Sequence, residues 1–421
     1  MENVANCTAE DTAKRFQTYL RKYENDEKLV VLKTVDETQT DETETGMKLA
    51  SSFTSKVIRI TITGTRGDGS PYIKNFIWKS MVPKSPASTF SDINLLYYIE
   101  GHVYSKVLPI LGPYGPACIY QDEQNVIMED LTEKGYVLRT GYLDLSHTVL
   151  TLKILAKFHA SSLALKINDP QRFDEIVTPL KEMIYTKDNK TFMENLIPQA
   201  LQWTINNIGY IKPQTQALQT MKNVIFNCKF DIYNNLKQLF SEPKQKYSTM
   251  CHTDVWINNL LYLYDDNDKP IDVKLIDYQN VRYTSAALDL LNYIYSSVSS
   301  SLIENSYESL IKIYHSTLLK ELRQLHVSEV VLAELGEEWL EEGLKMYAFF
   351  ALITGCWVLH MVLACDEEIK MYHKYGPRFD LRFAKSHKGK FERINCIVTH
   401  YYNRYHLGII RDDLEPLPVT E

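Results

Sequence analysis

Apolar positions recur at helical spacing over residues 9–23, which predicts a short amphipathic helix. The following stretch 36–45, DETQTDETET, holds no apolar side chain and reads as a solvated acidic loop. The period then changes. Val57, Ile58, Ile60 and Ile62 with interspersed threonines predict a strand, GTRGDGS at 64–70 a turn, and 72–81 a second strand. The Arg66-Gly67-Asp68 tripeptide sits in that turn and is read as turn chemistry, not as an adhesion signal. Helical periodicity returns over 90–108, and 118–120 and 126–128 read as two more short strands. From about residue 140 the pattern is mostly helical, with helices expected at 146–166, 173–186, 190–208, 213–240, 287–300, 303–325 and 328–366. One island of strands interrupts it, 260–264 and 273–276, joined by the polar turn DDNDKP. The sequence carries no internal repeat. The expected architecture is α+β and bilobal: a small β-rich lobe with an N-terminal helix over 1–130, then a large helical lobe over 131–421.

Composition narrows the classes. With 45% hydrophobic and 24% charged residues, and only 16 Gly and 15 Pro in 421, collagen-like, low-complexity and wholly disordered chains are excluded. A net charge of -7 argues against affinity built on nucleic-acid phosphates. The seven cysteines form no CxxC pair, and the first residues are polar with no apolar leader core. That combination favours reduced thiols in a cytoplasmic protein over a disulfide frame or a zinc site. The stretch 346–365 is long enough to cross a bilayer, yet it contains Thr354, Gly355 and His360 and stands alone. It is expected to be a buried helix of the large lobe, with no membrane partner.

The strand island holds the chemistry. Asp254 and Asn259 stand five apart on a loop before a strand, and Asp277 follows 18 residues later at the end of the partner strand. This spacing brings two carboxylates and an amide oxygen to one point, which suits phosphoryl transfer: one carboxylate meets an attacking hydroxyl, while the amide and the other carboxylate hold Mg²⁺ on a triphosphate. Upstream, Lys79 lies in the hydrophobic strand FIWKSMVP, where a buried ammonium needs a partner. Glu100, 21 residues on in YYIEGHVYSKVLP, is placed to reach it, so that Lys79 aligns with the α- and β-phosphates. VIMEDL at 126–131 would connect the lobes, with Glu129 and Leu131 offering backbone atoms to an adenine edge. Gly46, Ser51 and Ser52 before the first strand would cover the phosphates, although no GxGxxG is present.

This series of motifs resembles the ecdysteroid kinase-like family, within the choline kinase and aminoglycoside phosphotransferase group of the protein-kinase-like fold. The residues that carry the resemblance are Lys79 before Pro83, Glu100 to Tyr104 running into Leu108-Pro109, MEDL at 128–131, LAKFHASSLAL at 155–165, HTDVWINNLLY at 252–262, and LIDYQNVRY at 275–283 with Asp289-Leu290. It extends over roughly residues 30–400. The resemblance implies ATP- and Mg²⁺-dependent phosphorylation of a hydroxyl on a small molecule, ecdysteroid hormones among them. Three departures stand out: Thr253 where the family usually has Gly, Tyr278 where Phe is commoner, and the degenerate phosphate loop.

Neighbouring residues compete for several of these roles. Lys74 and Lys84 flank the strand of Lys79, Asp92 precedes Glu100, and Asn258 adjoins Asn259; apolar context and spacing favour Lys79, Glu100 and Asn259. His252 is expected to be a structural hydrogen-bonding residue, Trp256 to pack under the loop, His159 to be a core or capping histidine, and Asp289 to cap and brace the catalytic loop. Tyr293, Tyr295, Phe349, Phe350 and Trp357 read first as core; any part that lined a pocket would suit an apolar alcohol better than choline. The expected function is a small-molecule kinase acting on an ecdysteroid, a related sterol or a xenobiotic. The alternative is a pseudokinase-like module that binds ATP or a ligand without transfer, suggested by Thr253 and the weak phosphate loop.

Overall fold

A computed structural model describes residues 9–37, 55–81, 93–187, 189–229, 231–362, 388–410 and 417. Helix α1 (Ala9–Glu24) opens the chain, followed by strands β1 (Val30–Glu37), β2 (Ser55–Thr65) and β3 (Pro71–Met81). Helix α2 (Ile93–His102) leads to β4 (Cys118–Gln121) and β5 (Asn125–Glu129). The five strands form one antiparallel sheet in the order β1-β2-β3-β5-β4.

Alternation along β3 sends successive side chains to opposite faces. Phe76 packs with Phe16, Leu20, Ile60 and Ile62 in the core under α1, and Trp78 joins its edge. Ile77 and Lys79 face the other way, and both line the cleft between the lobes. β1 was not legible as a strand, because the acidic run masks its end; it reaches Glu37, two residues into the expected loop.

The expected helix at 90–108 is three pieces. α2 continues as a π-helical turn at Val103–Val107 and a last α-turn at Leu108–Leu111, where Pro109 stands in the first turn. Beyond a 3₁₀ turn (Leu131–Lys134) and β6 (Val137–Leu138), α3 (Leu145–Asn168) starts at Asp144, whose carboxylate accepts from His147 N at 3.2 Å. The helix expected at 173–186 is only α4 (Pro170–Val177). Further on, the Glu182 carboxylate accepts from the amides of Ile184 and Tyr185 at 2.8 and 2.9 Å, local bonds that replace a helical ladder. After α5 (Lys190–Tyr210), the single helix expected over 213–240 is two, α6 (Gln216–Cys228) and α7 (Ile232–Phe240).

The island of strands contains more than the expected hairpin. β7 (Thr249–Cys251) precedes it, β8 (Leu260–Tyr264) and β9 (Pro270–Leu275) form it, and β10 (Arg282–Thr284) returns to pair with β7. Three-residue strands are too short to show a period, so neither β7 nor β10 was legible. The helices α8 (Ala286–Ser297), α9 (Ser300–Gln324), α10 (Glu329–Glu334), α11 (Glu337–Val362) and α12 (Lys388–Tyr401) follow among the described residues. Gly336 separates α10 from α11, which splits the helix expected over 328–366. Both α3 and α11 are long and apolar enough to cross a membrane, and more than half of each apolar stretch is buried inside the protein. α11 lies tightly on α8: a Cβ at Gly355 would meet the Tyr295 Cβ at 3.0 Å.

Candidate nucleotide and phosphoryl-transfer site

The register of the hairpin builds the centre of the site. Leu260 pairs with Leu275, so the residues just outside the ladder, Asn259 and Ile276, stand side by side, with Ile276 N donating to Asn259 O at 3.1 Å. Asp277 is then the next residue, and both it and Asn259 line a cleft of about 210 Å³ between the lobes. Lys79 enters from β3, where its strand neighbours are Val57 and Val126. Its Nζ lies 2.8 Å from Glu100 Oε1 and 2.7 Å from Asp277 Oδ1. Thus the Lys79–Glu100 pair and the Asn259–Asp277 pair, read from the sequence as two groups, meet at one place. Asp254 joins them through Asn259, whose Nδ2 donates to Asp254 O at 2.9 Å and Oδ2 at 3.2 Å.

The competing residues are elsewhere or outside view. Lys74 binds Glu24 at 2.9 Å on the far side of the sheet. Lys84, Asp92, Pro83 and the proposed phosphate loop with Gly46, Ser51 and Ser52 lie outside the described residues. Asn258 also lines the cleft, but it is Asn259 that touches Asp254.

Two carboxyl groups share one buried ammonium. Burial pushes Glu100 up to about 7, Asp277 adds to the rise, and Lys79 pulls against it. Burial would lower Lys79, but Asp277 and Glu100 more than compensate and hold it firmly charged. Asp254 is also raised, to about 6, by burial first and the Asp277 charge second, while His252, Asn280 and Asn259 oppose the shift.

Whether the site suits a metal rests on one atom. Asn259 Oδ1 is buried and has no hydrogen-bond partner among the described residues. Its amide orientation is fixed because Nδ2 faces two acceptor oxygens of Asp254. A buried amide oxygen and a carboxylate that line one cleft form a hard-oxygen donor set, which fits Mg²⁺.

The connector closes the other end. Glu129 ends β5, and both it and Leu131 line the cleft with Val57, Ile77, Met128 and Leu138, an apolar slot of the kind that takes a planar ring. The Glu129 side chain pairs with Lys134, and its Oε2 accepts from Ala117 N at 3.4 Å. Sequence reasoning missed Arg59 of β2, whose Nε meets Asp130 Oδ2 at 2.6 Å and ties the sheet to the connector.

Below the site the loop is clamped from beneath. Asp289 accepts from His252 N at 2.7 Å and Thr253 N at 2.6 Å, the brace expected of it. His159 Nε2 lies 3.1 Å from the same carboxylate and its Nδ1 2.7 Å from the Tyr314 hydroxyl, so His159 belongs to the core. His252 is structural as well, with Nε2 2.9 Å from Ile276 O, and Trp256 is buried in the core below. His159, Cys251 and Asp289 offer three ligand atoms within 4.8 Å of one another. The Asp289 oxygens are already engaged by two amides and an imidazole, and the Cys251 thiol faces backbone carbonyls, so the group is a hydrogen-bond network. Of the aromatic residues singled out earlier, Tyr293 and Tyr295 are fully buried core, while Phe349 and Phe350 are partly buried against it.

Thr253 adopts φ 60°, a left-handed conformation that is costly for a β-branched residue. Its hydroxyl answers the strain: Oγ1 donates to Asn280 O at 2.5 Å and accepts from Arg282 Nη1 at 3.2 Å. Arg282 is held in turn by Glu182 at 2.8 Å, a pair separated by 100 residues that the sequence did not reveal. Burial works against the Glu182 charge, and Arg282 overcomes it, lowering that carboxyl below its ordinary range. Thr253→Val keeps the strain and deletes both contacts, so a loss of about 1–3 kcal/mol is expected in denaturant unfolding. Thr253→Gly also relieves the strain and is expected to lose less.

A model of the ecdysteroid kinase-like family matches residues 50–327. No curated protein matches the chain.

Proposed function

Because the chain belongs to the ecdysteroid kinase-like family, a kinase-like group that generally works with ATP and Mg²⁺, we propose that it transfers the γ-phosphoryl group of ATP to a hydroxyl of a small apolar alcohol, an ecdysteroid or a related sterol or xenobiotic. The observation that carries this reading is the convergence of Lys79, Asn259 and Asp277 in one cleft, with Asp254 bonded to Asn259 and the buried Asn259 Oδ1 without a partner among the described residues.

Asn259 and Asp277 would hold Mg²⁺, whose chemistry is to neutralise charge on the transferring phosphoryl group. Lys79, aligned by Glu100, turns its ammonium to the α- and β-phosphates. The adenine edge meets backbone atoms of Glu129 and Leu131. Asp254 orients the acceptor alcohol and takes its proton as the new P–O bond forms and the bond to ADP breaks. Positioning and electrostatics supply most of the rate. The described cysteines 118, 228, 251, 356 and 396 are free thiols, which supports action in a reducing cytoplasm.

The pH dependence follows from Asp254. A base must be ionised, so kcat/KM is expected to fall as pH drops through about 6. The Asp277 charge contributes to that elevation, so its neutralisation by bound cation moves the limb seen in kcat to lower pH. A pH–rate profile checks both limbs. The acceptor itself is tested by ATP turnover against ecdysteroids, other sterols, plant glucosides and choline. Turnover on an apolar class supports the proposal. Turnover on choline alone would overturn the acceptor assignment, and nucleotide binding with no turnover on any of them would favour the binding-module alternative.

A further inference from the structure

The last amide of β9 and the two that follow it are captured one by one by different elements. Leu275 N donates to Tyr114 O at 2.8 Å and Ile276 N to Asn259 O at 3.1 Å. Asp277 N donates at 3.0 Å to the hydroxyl of Tyr104, a side chain 173 positions away in the chain. Asp277 itself has φ 65°, a left-handed conformation that a non-glycine residue keeps only when its surroundings fix it. Tyr104 is buried, and its ring meets Tyr278 edge-on with centroids 5.4 Å apart. It lies on the π-helical turn Val103–Val107, four residues after Glu100 on the same continuous helix. π-helical turns are rare and concentrate at functional sites.

From this geometry we infer that Tyr104 is a positioning residue for the Asp277 carboxylate. The inference rests on the reading of Asp277 as a metal-holding group. A closed circuit runs from Glu100 to Lys79 at 2.8 Å, from Lys79 to Asp277 at 2.7 Å, and from the Asp277 amide back to Tyr104 at 3.0 Å. Both ends of the circuit sit on one helix, so that helix sets the lysine through Glu100 and the metal-holding carboxylate through Tyr104. The side chain of Asp277 fixes the charge; the hydroxyl of Tyr104 fixes the backbone that aims it.

The test is a Mg²⁺ titration at fixed ATP, read as thermal stabilisation of the full chain. Tyr104→Phe keeps the ring against Tyr278 and removes only the acceptor oxygen. It is expected to raise the Mg²⁺ concentration at half-maximal stabilisation by about 10- to 100-fold, the usual effect of losing a group that orients a metal ligand. Tyr278→Leu, which removes the ring contact and leaves the hydroxyl, is the packing control: its melting temperature falls while its Mg²⁺ midpoint stays near wild type. Asp277→Asn is expected to lose the Mg²⁺ response. A wild-type midpoint in Tyr104→Phe alongside an unresponsive Asp277→Asn would overturn the positioning role and leave the metal assignment standing. Equal midpoint shifts in Tyr104→Phe and Tyr278→Leu would reduce Tyr104 to packing. A normal Mg²⁺ response in Asp277→Asn would overturn the metal reading itself.

Discussion

Asp254→Asn is expected to lower phosphoryl transfer by about 10²- to 10⁴-fold, the range associated with loss of a general base. The amide keeps the shape of the carboxyl and still offers an oxygen to Asn259 Nδ2, which lies 3.2 Å from Asp254 Oδ2. It cannot take the proton of the acceptor alcohol. The melting temperature should hold or rise slightly, because the wild-type carboxylate is ionised against burial and against the Asp277 charge. A turnover assay paired with a melt separates the two effects. Wild-type turnover from this variant would remove Asp254 from its role.

The second large effect belongs to Lys79→Met, and it falls on stability as well as activity. Removing the ammonium leaves Glu100, 1% exposed, and Asp277 facing each other without a counter-ion. Breaking a buried ion pair from one side typically costs about 3–5 kcal/mol. The sign of the pH dependence is fixed by the carboxyl. Glu100 is already raised to about 7 with the lysine present, and without it the group rises further. A raised carboxyl contributes stability when protonated and loses it as pH increases through its folded value. The variant should therefore be most destabilised above pH 7 and recover toward the wild type as the pH falls from there toward the ordinary glutamate range. Denaturant unfolding at pH 5 and pH 8 would show it. Equal destabilisation at both would mean that lost packing, not the orphaned carboxylates, dominates.

How much of this was legible in the sequence depended on distance along the chain. Asp254, Asn259 and Asp277 lie on one loop and one hairpin, so local spacing sufficed to place them together. Lys79 and Glu100 were recoverable because an ammonium in an apolar strand demands a partner, and the next helix offers one. The brace from Asp289 follows the 252–259 loop closely enough to be expected too. Other features lack a local sign. β7 and β10 span three residues each, below the length at which a period can be recognised. The Arg282–Glu182 pair joins segments 100 residues apart, and only the folded chain shows that it supports Thr253. Tyr104 was visible as part of a motif, but its contact with a backbone amide depends on the π-helical turn, which hydrophobic periodicity does not distinguish from an ordinary helix. Thr253 is the instructive case: the sequence marked it as a departure, and the structure supplies the hydroxyl contacts that accommodate it.

That residues from both lobes form one metal–nucleotide site can be tested without knowing the acceptor. The measurement is the melting temperature of the wild-type protein with ATP and Mg²⁺, compared with ATP and a chelator. A rise that requires both ATP and the metal is expected, because Asn259 and Asp277 would hold the cation while Lys79 would pair with the phosphates. An unchanged melting temperature at millimolar Mg-ATP would contradict it.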